Sequence, residues 1–178
     1  MYSLNVPVPA EVARLAATVA RELPNARART RGEHTLVVKR LTSDRSGTTG
    51  GSADRVTYDR LETRAREVLH GQPPFEIRID GVDYFAEPAT GTAPVVYLSV
   101  ASGELESLHD RLAGTFEPVD GLEGDEYVPH VTVARGGAIE TARRVADREI
   151  DPITWTVSQL VFWDGEHNQP ISTLSLPA

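Results

Sequence analysis

Tyr127-Val128-Pro129-His130-Val131-Thr132-Val133-Ala134-Arg135 is the stretch from which the rest of the chain can be read. Val131 to Arg135 are rich in β-branched residues and fenced by Pro129 and Gly136-Gly137, which predicts a short strand. Residues two apart on a strand share a face, so His130 and Thr132 point together and Val131 and Val133 point the other way. An imidazole beside a hydroxyl can bind a phosphate oxygen and move a proton near neutral pH. One histidine cannot be base and acid at once, so such chemistry calls for a second on another strand, across a cleft.

The bounds are those of an ordinary globular chain. It has 178 residues, 40% hydrophobic and 25% charged, enough for one core or two small lobes. No apolar run is long enough to span a bilayer, and no basic segment followed by an apolar stretch opens the chain, which reads as a cytoplasmic monomer. Cysteine is absent, which excludes disulfides, thiolate metal sites and cysteine nucleophiles. The net charge is −8, and of 18 basic residues only Lys39 is a lysine. That composition suits a halophile-like, acid-rich surface, although a high-GC genome also trades lysine for arginine.

Read in order, Met1 to Val8 predict a strand closed by Pro7 and Pro9. Ala10 to Leu23 predict a helix with Val12, Leu15, Ala16 and Val19 inward, ended by Pro24. An arginine-rich connector (Arg27, Arg29, Arg31) leads into a strand from His34 to Leu41. Ser43 to Ser52 read as a Gly, Ser and Thr loop without the lysine-hydroxyl pair of a phosphate loop. A helix from Asp54 to Leu69, an alternating run from Phe75 to Phe85 with a turn signal at Asp80-Gly81, and a loop from Glu87 to Pro94 complete the first half. The second half offers a strand (Val95 to Ala101), a helix (Glu104 to Phe116), an acidic turn (Gly121 to Asp125) and the opening stretch. It ends in a short helix (Ile139 to Arg148), a strand run (Ile153 to Trp163), a polar loop and a last strand (Ile171 to Leu176).

The chain therefore repeats itself, as residues 1–94 and 95–178. A strand, a helix and then His34 match a strand, a helix and then His130, although the intervals from Tyr2 and from Tyr97 differ by one residue. Stacked about an approximate two-fold, the halves predict an α+β fold: a single bilobal domain of intertwined lobes, antiparallel sheets facing a central cleft and helices on the outer faces.

His130-Val131-Thr132-Val133, with Tyr127-Val128-Pro129 before it and Ala134-Arg135 after, resembles the second motif of the two-histidine (2H) phosphoesterases. Within them it is most like the bacterial and archaeal 2′-5′ RNA ligases, also called RNA 2′,3′-cyclic phosphodiesterases. The resemblance covers essentially the whole chain. It implies metal-independent hydrolysis of an RNA or nucleotide 2′,3′-cyclic phosphate to a 2′-phosphate, without a cofactor, and reversible 2′-5′ ligation when an RNA 5′-hydroxyl replaces water. It further implies His34 as proton donor and His130 as acceptor, Thr132 and Thr35 on the phosphate, Arg135 supplying charge, and Tyr127 at the cleft edge.

The first motif departs from the pattern. The family has histidine, any residue, then threonine or serine, whereas this chain has His34-Thr35-Leu36-Val37. On a regular strand Leu36 shares the face of His34 and Thr35 points away. Three repairs are open: a bulge turning Thr35 inward, a backbone N–H, or an arginine such as Arg31 or Arg40. Two other functions stay open with them: a phosphate-end or RNA-end binding module that has lost turnover, and a 2H enzyme for small cyclic phosphates. A histidine metal site lacks a third ligand at suitable spacing. His70, His109 and His167 carry no partner pattern.

Overall fold

The computed structural model describes residues 1–30, 32–42 and 51–177. The strands are β1 (Tyr2–Val6), β2 (Arg27–Ala28), β3 (Leu36–Leu41), β4 (Phe75–Phe85), β5 (Val95–Ala101), β6 (His130–Arg135), β7 (Ile153–Val157), β8 (Gln159–Asp164) and β9 (Gln169–Ser175). The helices are α1 (Ala10–Ala20), α2 (Gly51–Val68), α3 (Gly103–Ala113) and α4 (Ile139–Ala146), with a 3-10 turn at Gly124–Glu126. The fold is α+β, with two antiparallel sheets ordered β3-β1-β8-β9 and β2-β6-β5-β4-β7. Each half of the repeat lends strands to the other's sheet: β2 and β4 join β5 and β6, while β8 and β9 join β1 and β3.

Local sequence explains most of the elements. α1 buries Val12, Ala16 and Val19, spaced three and four apart on one face. α3 is capped by Ser102, whose hydroxyl accepts from the Leu105 N–H and donates to the Glu76 carbonyl, and it buries Leu105, Leu108 and Leu112. Tyr58 of α2 packs on Tyr2 and edge-on against Phe162, closing the outer face of the four-stranded sheet.

Several elements differ from expectation. Asp80-Gly81 makes no turn: β4 runs through it with a bulge between Ile79 and Gly81. The buried positions accordingly change phase, from Phe75, Ile77 and Ile79 to Val82. That shift turns Phe85 to the face on which Tyr97 lies, and the two rings stack at 4.3 Å. Ile153 to Trp163 form two strands, in different sheets, broken at Ser158. The arginine connector contains β2, which pairs with β6 through Arg27↔Arg135 and Ala28↔Ala134. His34 precedes β3 and is not part of it. The expected loop from Ser43 to Ser52 lies mostly outside the described residues, as does Arg31, and α2 takes up Gly51 and Ser52. Among the described residues no helix is long and apolar enough to cross a membrane.

Candidate functional site

β3 and β6 face each other across a cleft. From β3 and the residue before it come Thr35, Val37 and Arg40; from β6 and its approach come Tyr127, His130, Thr132 and Arg135, and Arg29 completes the wall. Leu36 and Val38 point into the core with no exposure, and pairing with β1 leaves Thr35 and Val37 on the open side.

His130 is held by its neighbours. Its ring lies edge-on to Phe85 at 5.2 Å and tilted against Tyr97 at 5.1 Å. Its Nδ1 is 2.6 Å from the Val128 carbonyl oxygen. A carbonyl only accepts, so Nδ1 carries the proton and, in the neutral ring, Nε2 keeps its lone pair. Burial pushes the imidazole below its usual range; the Val128 carbonyl opposes this and the nearby Arg40 and Arg135 reinforce it. A neutral ring with a fixed tautomer is a base.

The charge around it is cationic. Arg135 donates from Nη1 to the Thr90 carbonyl at 2.9 Å, and burial, then Arg29 and Arg40, depress its guanidinium. Among the described residues neither Arg29 nor Arg135 has a carboxylate within ion-pair distance. Arg40 reaches Glu123 only at 3.4 Å. Three guanidiniums and two threonine hydroxyls line the cleft around one lone pair, a donor set of the kind that can receive a phosphate.

Behind the cleft a buried network fixes both walls. Glu123 accepts from Lys39 Nζ at 2.5 Å, with both side chains fully buried, and from the Arg40 N–H at 2.7 Å and the Val119 N–H at 3.0 Å. Burial would raise the Glu123 carboxyl, but these donors together hold it below its usual range. His109 donates from Nδ1 to the Val38 carbonyl at 2.7 Å, accepts from the Gly124 N–H at 3.0 Å, and stacks on Tyr127 at 3.7 Å. The Tyr127 hydroxyl donates to the Val37 carbonyl at 2.9 Å. Tyr127 thus ties β3 to the approach of β6. No local pattern pointed to His109 or Glu123, because the β3 partners of each, Val38 for His109 and Lys39 and Arg40 for Glu123, come from more than seventy residues away.

The structure does not bring His34 into this cleft. Its side chain, 8% exposed, lines a separate cavity with Arg14, Ala13 and Ala17 of α1 and with Arg29 and Thr30. Neither of its ring nitrogens has a hydrogen-bond partner among the described residues. A buried polar group left unpaired costs about 1–3 kcal/mol.

The registers explain the placement. β3 pairs with β1 as Arg40↔Ser3, Lys39↔Leu4 and, after a bulge, Val37↔Asn5. β6 pairs with β5 as Arg135↔Val95, Ala134↔Val96 and, after a bulge, Thr132↔Tyr97. Laid one on the other with the bulges matched, Arg40 corresponds to Arg135, Val37 to Thr132, and Thr35 to His130. One of the three repairs, a bulge, is present, but at Val38, where it brings Arg40 onto the cleft. The first-half counterpart of the histidine is a threonine, and that of the threonine is a valine.

The family model of the 2′-5′ RNA ligase superfamily matches residues 35–169, about three quarters of the chain. The chain belongs to the 2′-5′ RNA ligase superfamily. The match begins at Thr35, so His34 lies outside it. This superfamily fold also matches solved structures over nearly their whole length. TT0787 of Thermus thermophilus aligns with a TM-score of 0.63 and 17% identity, covering 98% of this chain and 97% of that one. E. coli LigT complexed with 3′-AMP aligns with a TM-score of 0.62 and 15% identity, covering 99% and 98%. LigT complexed with ATP gives 0.60 and 15%, covering 99% and 97%. No curated protein matches the sequence. Superfamily membership makes this a phosphoesterase- or ligase-type scaffold, and its cleft departs from the two-histidine pattern at the first motif.

Proposed function

We propose that the cleft binds the terminal phosphate of an RNA or nucleotide, and that any hydrolysis of a 2′,3′-cyclic phosphate there runs slowly on His130 alone. One observation carries the reading: with the two bulges matched, Thr35 occupies the position of His130. Arg40, Arg135 and Arg29 take the phosphate charge, and the Thr35 and Thr132 hydroxyls hydrogen-bond its oxygens. His130 Nε2 takes a proton from the water that attacks phosphorus. The bond from phosphorus to the ribose 3′-oxygen breaks, and that oxygen takes its proton from solvent, leaving a 2′-phosphate. A positioned general acid contributes about 10²- to 10⁴-fold, and the Thr35 hydroxyl, far less acidic than an imidazolium, supplies little of that.

LigT, which shares the fold, is complexed with 3′-AMP and with ATP, and nucleotide ligands suit a cleft whose second compartment is lined by Phe85, Val95, Leu122 and Val128. The test is a nucleoside 2′,3′-cyclic phosphate, followed for binding and turnover with wild type, His34→Ala and His130→Ala. Binding with slow hydrolysis that His130→Ala removes and His34→Ala leaves unchanged supports the reading. Fast hydrolysis lost in both variants would restore the paired-histidine reaction and overturn it.

A further inference from the structure

The compartment beside His130 carries two side chains that the chemistry above leaves unused. Its end at the phosphate cleft is shared, because Arg40, His130 and Arg135 line both spaces, as do Leu122 and Val128. The lining that belongs to the compartment alone includes Phe85 and Val95, and with them two carboxylates, Glu87 and Glu126. Neither carboxylate has an ion-pair partner among the described residues. Glu126 Oε2 accepts from the Gly121 N–H at 2.7 Å, which anchors the carboxylate at the wall and leaves Oε1 without a protein partner among the described residues. Val128, which borders the same space, is 42% exposed although large and apolar. Carboxylates at the far end of a cationic cleft repel a second phosphate. They suit the uncharged part of a nucleotide, provided that it brings N–H donors with it.

We propose that this compartment is a guanine pocket in which the Glu126 carboxylate reads the base, a step that rests on the cleft reading for the phosphate and adds the identity of the base. Guanine alone among the four RNA bases presents a ring N–H and an exocyclic amine side by side, at N1 and N2. Both oxygens of one carboxylate can therefore accept from it in parallel. Adenine and cytosine set their amine beside a ring-nitrogen lone pair, and uracil sets its N–H between two carbonyls. Each of the three turns a lone pair toward the carboxylate, and guanine does not. Glu87 accepts the remaining hydrogen of the N2 amine. Phe85, Val95, Leu122 and Val128 take up the faces of the ring.

The test compares the 2′-phosphates of guanosine, inosine and adenosine, which hydrolysis of the cyclic ester does not consume, by calorimetric titration of wild type, Glu126→Gln and Glu87→Gln. Inosine keeps the N1–H and lacks the N2 amine. Wild type should bind guanosine 2′-phosphate about tenfold more tightly than adenosine 2′-phosphate, with inosine between them. Glu126→Gln keeps an oxygen for the Gly121 N–H, so the wall stays in place, and the guanosine-to-adenosine ratio should fall about tenfold. Glu87→Gln should narrow the gap between guanosine and inosine. The ratios are the readout, because a change of charge near the phosphate moves all three ligands together. Equal affinities in wild type, or a ratio that Glu126→Gln leaves unchanged, overturn the guanine pocket while the cleft reading stands. A wild type that binds none of the three overturns the cleft reading and the pocket with it.

Discussion

Thr35 and His130 occupy equivalent places on the two strands that wall the cleft, because β3 and β6 pair with β1 and β5 in the same register and bulge at the same point. The equivalence makes a gain of function testable. Thr35→His puts an imidazole opposite His130, and Val37→Thr adds the hydroxyl that accompanies it on β6. The double variant should hydrolyse 2′,3′-cyclic nucleotides about 10²- to 10⁴-fold faster than wild type. A steady-state assay checks it, and an unchanged rate would sink the assignment of Thr35.

The pH profile separates one imidazole from two. His130 must be neutral to accept a proton, and burial holds its pKa below the usual histidine value. Activity should therefore be complete at neutral pH and fall only as the pH drops through that lowered pKa. With no second histidine in the cleft to lose its proton, the rate has no descending limb between about pH 7 and 9. Rates measured from about pH 4 to 9 decide it, since a bell would require a second titrating group.

How much of this the sequence carried depends on which contacts are local. The strand, helix and motif around His130 were legible because alternation, proline and glycine act within a few residues. So was the duplication, hence the two-sheet α+β fold. The first motif was legible only as a conflict, with Leu36 on the face of His34. Either the histidine or the leucine had to face the cleft, and strand register is set by the buried set: Leu36, Val38 and Leu41 together bury their apolar surface and carry His34 to the α1 side. The bulge at Val38 and the splitting of Ile153 to Trp163 between two sheets depend on strands distant in sequence, and no local pattern encodes them. The same holds for the β3 partners of Glu123 and His109, which are Lys39, Arg40 and Val38.

Gly91 has φ +81°, and a Cβ there would lie 2.8 Å from Arg135 Nη1. Gly91→Ala should thus push the guanidinium off the Thr90 carbonyl and lower phosphate-ligand affinity, on the order of tenfold for a lost charge-assisted contact. Gly71, at φ +75° with nothing near its Cβ, is the control. Both variants take on roughly 1–2 kcal/mol of left-handed strain, but Gly71→Ala should bind normally. Calorimetric titration of the two distinguishes displaced charge from general strain.

The Lys39–Glu123 pair should govern acid stability. Glu123 has a lowered folded pKa, so by linkage its contribution is complete above the unfolded carboxyl value, about 4.3, and is lost as the pH falls through the folded one. Glu123→Gln leaves the Lys39 ammonium buried without its counter-charge and should destabilise the fold by about 3–5 kcal/mol. It also removes Glu123's share of the acid-dependent slope. Lys39→Met added to Glu123→Gln should recover part of the loss, since the uncompensated charge is gone while the Gln oxygen can still accept from the Arg40 or Val119 N–H. Urea unfolding of the three proteins at about pH 4 and pH 7 measures both effects. A single variant as stable as wild type at neutral pH would mean that the pair is not what clamps Arg40 and β3 to the cleft wall.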